Sequence, residues 1–165
     1  MEAVAVKQPF QAFLDEHRGA VLSFLRGMLG PLDADDCLQE TFLAALRSYG
    51  GFDGRHPRAW VLTIARRKAI DSTRARARRP APLADPAAAL DVVESIDGMS
   101  PPDAEVWDAV AALPVGQRAA VLLRFAVDLR YREVGEALGC SEEAARQRVS
   151  EALRTVRGTI EGTEA

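Results

Sequence analysis

The sequence predicts an all-α protein made of two small helical domains that are joined by a linker. Along most of the 165 residues apolar side chains recur at steps of three and four, and no segment alternates apolar and polar residues as a strand does. Pro80–Pro102 differs, because it holds five prolines, many alanines and acidic residues but no basic ones. This composition is typical of a linker. We therefore predict domains at residues 8–79 and 103–160, with residues 80–102 between them.

Three helices are predicted in the first domain. The first begins near Phe10 and ends at Gly30-Pro31. Asp33 is the predicted N-cap of the second helix, which ends at Gly50-Gly51. The residues predicted to face the core from this second helix are Leu38, Phe42, Ala45 and Leu46. Pro57 suits the first turn of the third helix, which is apolar nearly all round at its start and basic beyond Ala65.

The second domain begins with two predicted helices. One contains Val106 and Trp107 and ends at Pro114, and the next spans Gln117–Val127. In the second of these, the side chains predicted to point inward are Val121, Leu122 and Phe125.

A helix-turn-helix pattern follows. Tyr131–Leu138 is a short predicted helix, Gly139 suits a left-handed stop, and Ser141 can cap a last helix from about Glu142 to Ile160. A short helix, a glycine-containing turn and a longer helix are typical of DNA-binding domains of this type.

Charge is segregated along the chain, so the formal net charge of −3 says little about partners. Between Arg66 and Arg79 seven basic residues stand against one acidic residue. This basic segment directly follows an apolar, tryptophan-containing helix start, which favours binding to phosphates over a merely solvated tail.

Several classes of protein are disfavoured. Cys37 and Cys140 lack the neighbours of a zinc site or a disulfide framework, and we expect both to behave as small buried apolar residues. His17 and His56 lack a nucleophile or paired carboxylate at a motif spacing, so we expect no catalytic residues, no metal, no cofactor and no enzyme activity. Without a signal peptide or a bilayer-spanning apolar run, we expect a cytoplasmic protein with no membrane insertion.

Four segments carry a resemblance to a known family. They are DADDCLQETFLAALR and PRAWVLTIARRKAID in the first half, and LPVGQRAAVLLRF and YREVGEALGCSEEAARQRVSEALR in the second. In this order the segments resemble bacterial RNA polymerase sigma factors of the extracytoplasmic-function (ECF) type, in the sigma-70 family. The resemblance implies a sigma2-like helical bundle and a sigma4-like helix-turn-helix domain.

The resemblance implies that the acidic helix docks on core RNA polymerase. Its matching residues are Asp36, Gln39, Glu40 and Phe42. Carboxylates and an amide on an outer helix face can pair with basic side chains of a partner. A solvated acidic face is the alternative interpretation of the same residues.

The next helix is implied to meet the −10 promoter element and to assist promoter melting, with the loop Phe52–His56 receiving a flipped-out base. The implied DNA-binding residues are Trp60, Arg66, Arg67, Lys68 and Arg74. Trp60 fits a plain core tryptophan equally well. Arg67 departs from many relatives, which have asparagine there, and this departure affects the expected −10 specificity.

The helix-turn-helix domain is implied to bind the −35 element. Ser141, Arg146, Gln147 and Arg148 are the implied contacts, whereas Glu143 and Glu151 would repel phosphate. A helix that contacts protein rather than DNA is the alternative. The acidic linker is implied to thread channels of the polymerase, and a solubilising spacer would have the same composition.

These expectations combine into one predicted function and one alternative. The predicted function is that of a transcription initiation factor whose partners are core RNA polymerase, promoter DNA and, in some members of the family, an anti-sigma factor. The alternative is a sigma-like decoy or adaptor that binds an anti-sigma factor or polymerase without directing initiation.

Overall fold

The computed structural model describes residues 7–78 and 101–163, so nearly all of the predicted linker 80–102 lies outside the described residues. Seven α-helices are described: α1 (Phe10–Leu29), α2 (Pro31–Ser48), α3 (Pro57–Arg78), α4 (Pro101–Ala111), α5 (Val115–Val121), α6 (Tyr131–Leu138) and α7 (Glu142–Thr163). A 3₁₀ turn at Tyr49–Gly51 ends α2, and a π-helical turn at Leu122–Ala126 continues α5. The described ranges contain no strand, which confirms the all-α prediction. In these ranges no helix has the length and apolarity that crossing a membrane would require.

Helices α1, α2 and α3 pack against one another around an aliphatic and aromatic core. The turn between α1 and α2 is a single residue, Gly30, whose φ of 81° favours glycine over any residue with a side chain. Helix α2 therefore begins at Pro31 rather than after Asp33. The predicted Asp33 N-cap is wrong, and Asp33 instead lies in the first turn, where its charge still suits the helix dipole.

The core face of α2 is narrower than the sequence predicted. Leu38, Phe42 and Ala45 are buried as expected, but Leu46 is 52% exposed. An α-helix turns about 100° per residue, which places Leu46 roughly 80° away from Leu38. That angle carries Leu46 past the edge of the contact with α1 and α3, so its assignment to the core was wrong.

The second domain contains α4 to α7, with α4, α5 and α6 packed against α7. The predicted helix Gln117–Val127 is wrong in its second half, because the chain widens there into the π-helical turn. In that turn the Val127 N–H donates to the Leu122 carbonyl at 3.1 Å, five residues back. The wider repeat turns Phe125 outward, 51% exposed, and buries Val127 in its place.

The helix-turn-helix prediction is confirmed in its local details. Gly139 ends α6 in the left-handed conformation, with φ 70°. The Ser141 hydroxyl caps α7 by accepting the Ala144 N–H at 3.1 Å. Gly135 permits the tight turn, because an added Cβ would lie 2.8 Å from the Cys140 carbonyl oxygen. Cys140 is only half-buried, so the expectation of a buried apolar residue holds for Cys37 alone.

The two halves of the molecule are in direct contact. Helix α3 packs against α6, and α1 packs against α5 and the π-helical turn. The core of the first half is therefore continuous with that of the second.

Candidate nucleic-acid and protein interfaces

Helix α2 exposes a row of apolar, acidic and amide side chains to solvent. Leu32, Leu43 and Leu46 are 81%, 54% and 52% exposed. Asp36 and Gln39 lie between them on the same exposed stripe, at alternating steps of four and three residues. We call these five residues the α2 stripe.

Beside the α2 stripe lies an acidic cleft between α2 and α3. Its volume is about 410 Å³, and its lining residues include Asp33, Asp36, Cys37, Glu40 and Asp71. Arg76 of α3 forms an ion pair with Asp33 at one side of the cleft. Asp36 and Glu40 are exposed, so their carboxylates remain available to a basic group from outside.

Phe42 does not reach this surface. Its side chain is buried in the core with Leu38 and Ala45. The family resemblance implies four polymerase-binding residues. Asp36, Gln39 and Glu40 lie on the outer surface of α2, whereas Phe42 packs in the core on the inner face of the helix.

Trp60 belongs to an aromatic cluster at the start of α3. Its ring stacks on Phe52 with centroids 4.3 Å apart and meets Phe13 edge-on at 5.7 Å. Tyr49 lies 6.1 Å from Phe52, and the Lys7 ammonium lies 4.3 Å from the Tyr49 ring centroid. Trp60 is half-buried, so its ring packs against the loop Phe52–His56 while part of the Trp60 side chain remains exposed to solvent.

A cavity of about 190 Å³ opens next to this loop. Aromatic rings of Phe13, Tyr49 and Phe52 line it, together with Lys7 and Gly54. The loop itself holds His56 at a φ of 46°, which is uncommon for a residue with a side chain. Aromatic rings, a cation and a glycine at one opening can hold a flat, electron-rich group.

The basic residues of α3 divide among three faces instead of acting as one patch. Successive residues of a helix point about 100° apart, so Arg66, Arg67 and Lys68 diverge. Lys68 is half-buried and close enough to Cys37 of α2 to act on the thiol electrostatically. Arg67 and Arg74 share the exposed face, seven residues apart.

Arg66 takes a third direction, toward the second half of the molecule. Its Nε donates to the Ala137 carbonyl and its terminal nitrogen to the Leu138 carbonyl, each at 3.2 Å. Burial lowers the pKa of the Arg66 guanidinium, and the nearby charges of Arg67 and Arg148 lower it further. Arg66 is therefore bound to protein in this structure.

The first turns of α7 hold the predicted −35 contacts. Arg146 pairs with Glu142 at 2.9 Å and lies over the Tyr131 ring at 4.6 Å, while Gln147 donates to Glu151 at 3.3 Å. Arg148 is exposed. The Ser141 hydroxyl caps α7, so in this structure it stabilises the start of the helix.

A basic pocket at the N-terminus of α6 was missed by the sequence analysis. It has a volume of about 570 Å³, and arginines 124, 130, 132 and 146 surround Tyr131 there together with Asp128 and Glu142. The Arg124 guanidinium lies 5.1 Å from the Tyr131 ring centroid. The spacing of Arg130 and Arg132 around Tyr131 at the start of the predicted helix was the available signal.

Within residues 7–78 and 101–163, no three His, Cys, Asp or Glu side chains are grouped so that they could hold a metal ion.

Two family models match this chain. Sigma-70 region 2 matches residues 13–79, and Sigma-70, region 4 matches residues 103–156. The ECF sigma factor SigG of Mycobacterium tuberculosis is 31% identical, but the alignment covers 90% of this chain and 48% of that relative, so the chain spans about half the length of SigG. SigC of M. tuberculosis is 32% identical, and the alignment covers 86% of this chain and 78% of SigC. SigX of Bacillus subtilis is 28% identical, and the alignment covers 94% of this chain and 86% of SigX.

Solved structures agree with the sequence relatives. CnrH, in complex with the cytosolic domain of CnrY, superposes with a TM-score of 0.71 at 26% identity, covering 93% of this chain and 88% of CnrH. The sigma factor RpoE of Bartonella quintana, crystallised with the anti-sigma factor NepR, shares the fold with a TM-score of 0.73 at 21% identity over 92% and 96% of the two chains. The two matched regions, their order and these relatives together assign the chain to the family of ECF RNA polymerase sigma factors.

Proposed function

We propose that this chain is a transcription initiation factor that binds core RNA polymerase and directs it to promoters. It would act in the cytoplasm and supply binding and strand separation, with no catalysis of its own. The observation that carries the proposal is the α2 stripe, an exposed row of leucines with an acid and an amide between them.

The α2 stripe suits a partner made of helices. Its alternating steps of four and three residues match the seam that a helix offers to a coiled coil. Three large exposed leucines in one row would gain about 25 cal/mol per Å² of apolar area covered. The acidic cleft beside the stripe, with Asp36 and Glu40, would accept basic side chains of the same partner.

The start of α3 suits the melted strand of a promoter. The aromatic cavity beside the loop Phe52–His56 could hold an unstacked base. Arg67 and Arg74 on the exposed face of α3 would contact phosphates of the same strand. Trp60 would contribute mainly by holding Phe52 and the loop in place.

The second half suits duplex DNA. Gln147 and Arg148 lie exposed near the N-terminus of α7, the part of a recognition helix that meets base edges. The basic pocket with Arg124 and Arg130 lies at the N-terminus of the preceding helix, beside the first turn of α7, where phosphates would pass. Glu142 and Glu151 reduce the positive charge of this surface, so we expect weak DNA binding by this half alone.

An anti-sigma factor is the third expected partner. RpoE of B. quintana was crystallised with the anti-sigma factor NepR, and CnrH with the cytosolic domain of CnrY. The α2 stripe and the basic surfaces would then be shared between polymerase and an inhibitor.

Transcription from a premelted template with purified core polymerase tests the proposal. We expect transcripts that depend on the factor. Changing Asp36→Arg together with Leu43→Gln should weaken binding to core polymerase at least about tenfold, because truncating central interface residues commonly costs more than 1 kcal/mol each.

The matched control is Val106→Gln, which removes an exposed apolar side chain from α4 instead. It should leave polymerase binding unchanged. Equal affinity of the wild type and a folded Asp36/Leu43 variant would refute docking through the α2 stripe. Polymerase binding without factor-dependent transcripts would favour the decoy or adaptor function.

A further inference from the structure

The aromatic cavity beside the loop Phe52–His56 has a cation at its opening that comes from outside the helices. Lys7 precedes α1, and its ammonium lies 4.3 Å from the Tyr49 ring centroid and 5.9 Å from the Phe52 ring centroid. Among the described residues that line the cavity, Lys7 alone carries a charge. A ligand that enters the cavity would therefore meet aromatic rings and one ammonium group.

Three contacts hold the segment that carries Lys7. The Tyr49 hydroxyl donates to the Gln8 carbonyl at 2.6 Å. Gln8 Nε2 donates to the Glu16 carboxylate of α1 at 2.9 Å, and the Phe10 ring meets the Tyr49 ring edge-on with centroids 5.2 Å apart. Tyr49 thus faces the ammonium with its ring and anchors the neighbouring backbone with its hydroxyl, which keeps Lys7 at the cavity.

The loop that forms another wall of the cavity is tightly turned. Gly54 lines the cavity with a φ of 82°, a value that favours glycine. The Arg55 N–H donates to the Asp53 carboxylate at 2.8 Å, which closes the turn. Phe52 is held by the stacked Trp60 ring at 4.3 Å. Rings and loop are in place before a ligand arrives, so binding costs little further ordering.

An ammonium at an aromatic cavity discriminates among flat groups by their hydrogen-bond acceptors. Every nucleobase has a π-face that can stack on Phe52 or Tyr49, so stacking alone tolerates any sequence. Lysine has three donors and no acceptor, so it favours a ring edge with a carbonyl oxygen over one with an amino group. With such a base, Lys7 exchanges its contact with the ring faces for a charge-assisted hydrogen bond.

We propose that Lys7 makes the aromatic cavity selective for keto bases, which carry a carbonyl oxygen where adenine and cytosine carry an amino group. In DNA these bases are guanine and thymine. This inference rests on the proposed function, because it names the chemistry of the unstacked base that the same cavity accepts. Lys7 then determines specificity, whereas Arg67 and Arg74 would contact phosphates whatever the base.

The test compares two single strands that differ in the group that Lys7 would contact. Uracil carries an oxygen where cytosine carries an amino group, and the proton on N3 follows that exchange. Homopolymers of deoxyuridine and of deoxycytidine, about 12 nucleotides long, offer the same base in every register and equal phosphate charge. Fluorescence anisotropy with the full chain at low salt, where phosphate contacts keep both strands bound, gives the ratio of the two dissociation constants.

The wild type should bind the deoxyuridine strand about five- to tenfold tighter than the deoxycytidine strand. Lys7→Met keeps the aliphatic stem and removes the ammonium, so this preference should disappear. Lys7→Arg supplies a donor again and should retain the preference. Tyr49→Phe keeps the ring but removes the hydrogen bond to Gln8, so it should reduce the preference only in part. Arg18→Met, which removes an exposed cation from α1, is the matched control and should leave the preference unchanged.

The salt dependence separates a base contact from a phosphate contact. Loss of a phosphate contact on a single strand would reduce the slope of log affinity against log salt by roughly 0.7, whereas Lys7→Met should leave the slope nearly unchanged. Equal affinity of the wild type for both strands, or a preference that survives in Lys7→Met, would overturn the proposal. Absence of factor-dependent transcripts would count against the proposed function instead, and it leaves the comparison of strands intact.

Discussion

Burial decides what the ionisable side chains of single residues can do. Cys37 is buried beneath the acidic cleft, and burial raises the pKa of its thiol to about 11, with Glu40 adding to the rise and the Thr41 hydroxyl partly opposing it. At neutral pH the thiol therefore stays protonated and unreactive. Cys37 contributes to this protein as a small apolar residue, as its sequence context predicted.

His17 should make the stability of the fold sensitive to acid. Its side chain is buried against the Phe13 ring, with centroids 4.6 Å apart, and its Nε2 has no hydrogen-bond partner. Burial lowers the pKa of His17 below 6.5, an effect that Glu16 partly opposes and Arg58 reinforces. As the pH falls below 6.5 the unfolded chain therefore takes up a proton first, and the folded state loses stability.

Urea unfolding at pH 7.5 and pH 5.0 measures this loss. Neutral His17 should make its full contribution to the free energy of unfolding at pH values above the pKa of His17 in the unfolded chain. The contribution should decline as the pH falls toward the lower pKa of His17 in the folded protein, and it amounts to about 1.4 kcal/mol for each unit by which the two pKa values differ. His17→Gln should reduce the pH dependence. A pH dependence that is unchanged in the folded His17→Gln variant would contradict the assignment to His17.

At the scale of elements, α3 shows how one helix serves several neighbours. Its basic residues form a single predicted DNA-binding segment in sequence, yet in the structure Arg66 donates to the end of α6 and Lys68 lies toward α2, while the exposed face carries Arg67, Arg74 and Arg78. The turn of about 100° per residue separates them. A cluster of basic residues in a sequence thus predicts the function of the whole segment, but it does not predict which of its residues face a partner.

We expect Arg67→Gln and Arg74→Gln to impair promoter melting more than Lys68→Gln does. Both arginines lie on the exposed face and can hold a separated strand, whereas Lys68 is half-buried beside α2. Loss of one phosphate contact should weaken DNA binding and reduce the salt slope by roughly 0.7 to 0.9. Permanganate footprinting of promoter thymines reports melting directly.

Arg18→Gln on α1 is the control for this series, because it removes an exposed arginine from another element. If Lys68→Gln proves the most damaging change, the division of α3 into three faces does not describe the DNA-bound protein.

At the scale of the whole molecule, the contact between the halves should couple their unfolding. The chain holds two tryptophans, Trp60 in the first half and Trp107 in the second. Trp107→Phe and Trp60→Phe therefore give proteins whose fluorescence reports one half each. With the contact between the halves intact, both should unfold at the same denaturant concentration.

Gly27 of α1 faces Leu122 of the second half, and an added Cβ at Gly27 would lie 2.5 Å from Leu122 Cδ2. Adding Gly27→Leu to each single-tryptophan protein should separate the two midpoints, since the halves then unfold independently. Adding Gly19→Leu, where an added Cβ has no such neighbour within 4 Å, should leave the midpoints together. Midpoints that already differ in the parent proteins would indicate that the contact contributes little free energy in solution.

Much of this protein follows from sequence alone, because it depends on local chemistry. Helical periodicity, Pro57 at a helix start, Gly139 at a left-handed stop and Ser141 as a cap are dictated within a few residues, and each occurs as predicted. The order of the acidic helix, the basic helix and the helix-turn-helix was sufficient to assign the family.

The tertiary structure alone decided which side chains remain available to partners. Leu46 and Phe125 looked like core residues and lie exposed, one past the edge of a helix contact and the other turned outward by a π-helical turn. Arg66 is a predicted DNA contact, and in this structure it donates to the Ala137 carbonyl 71 residues later. Exposure and contact between distant segments depend on how whole helices pack, and periodicity within one segment carries no information about that packing.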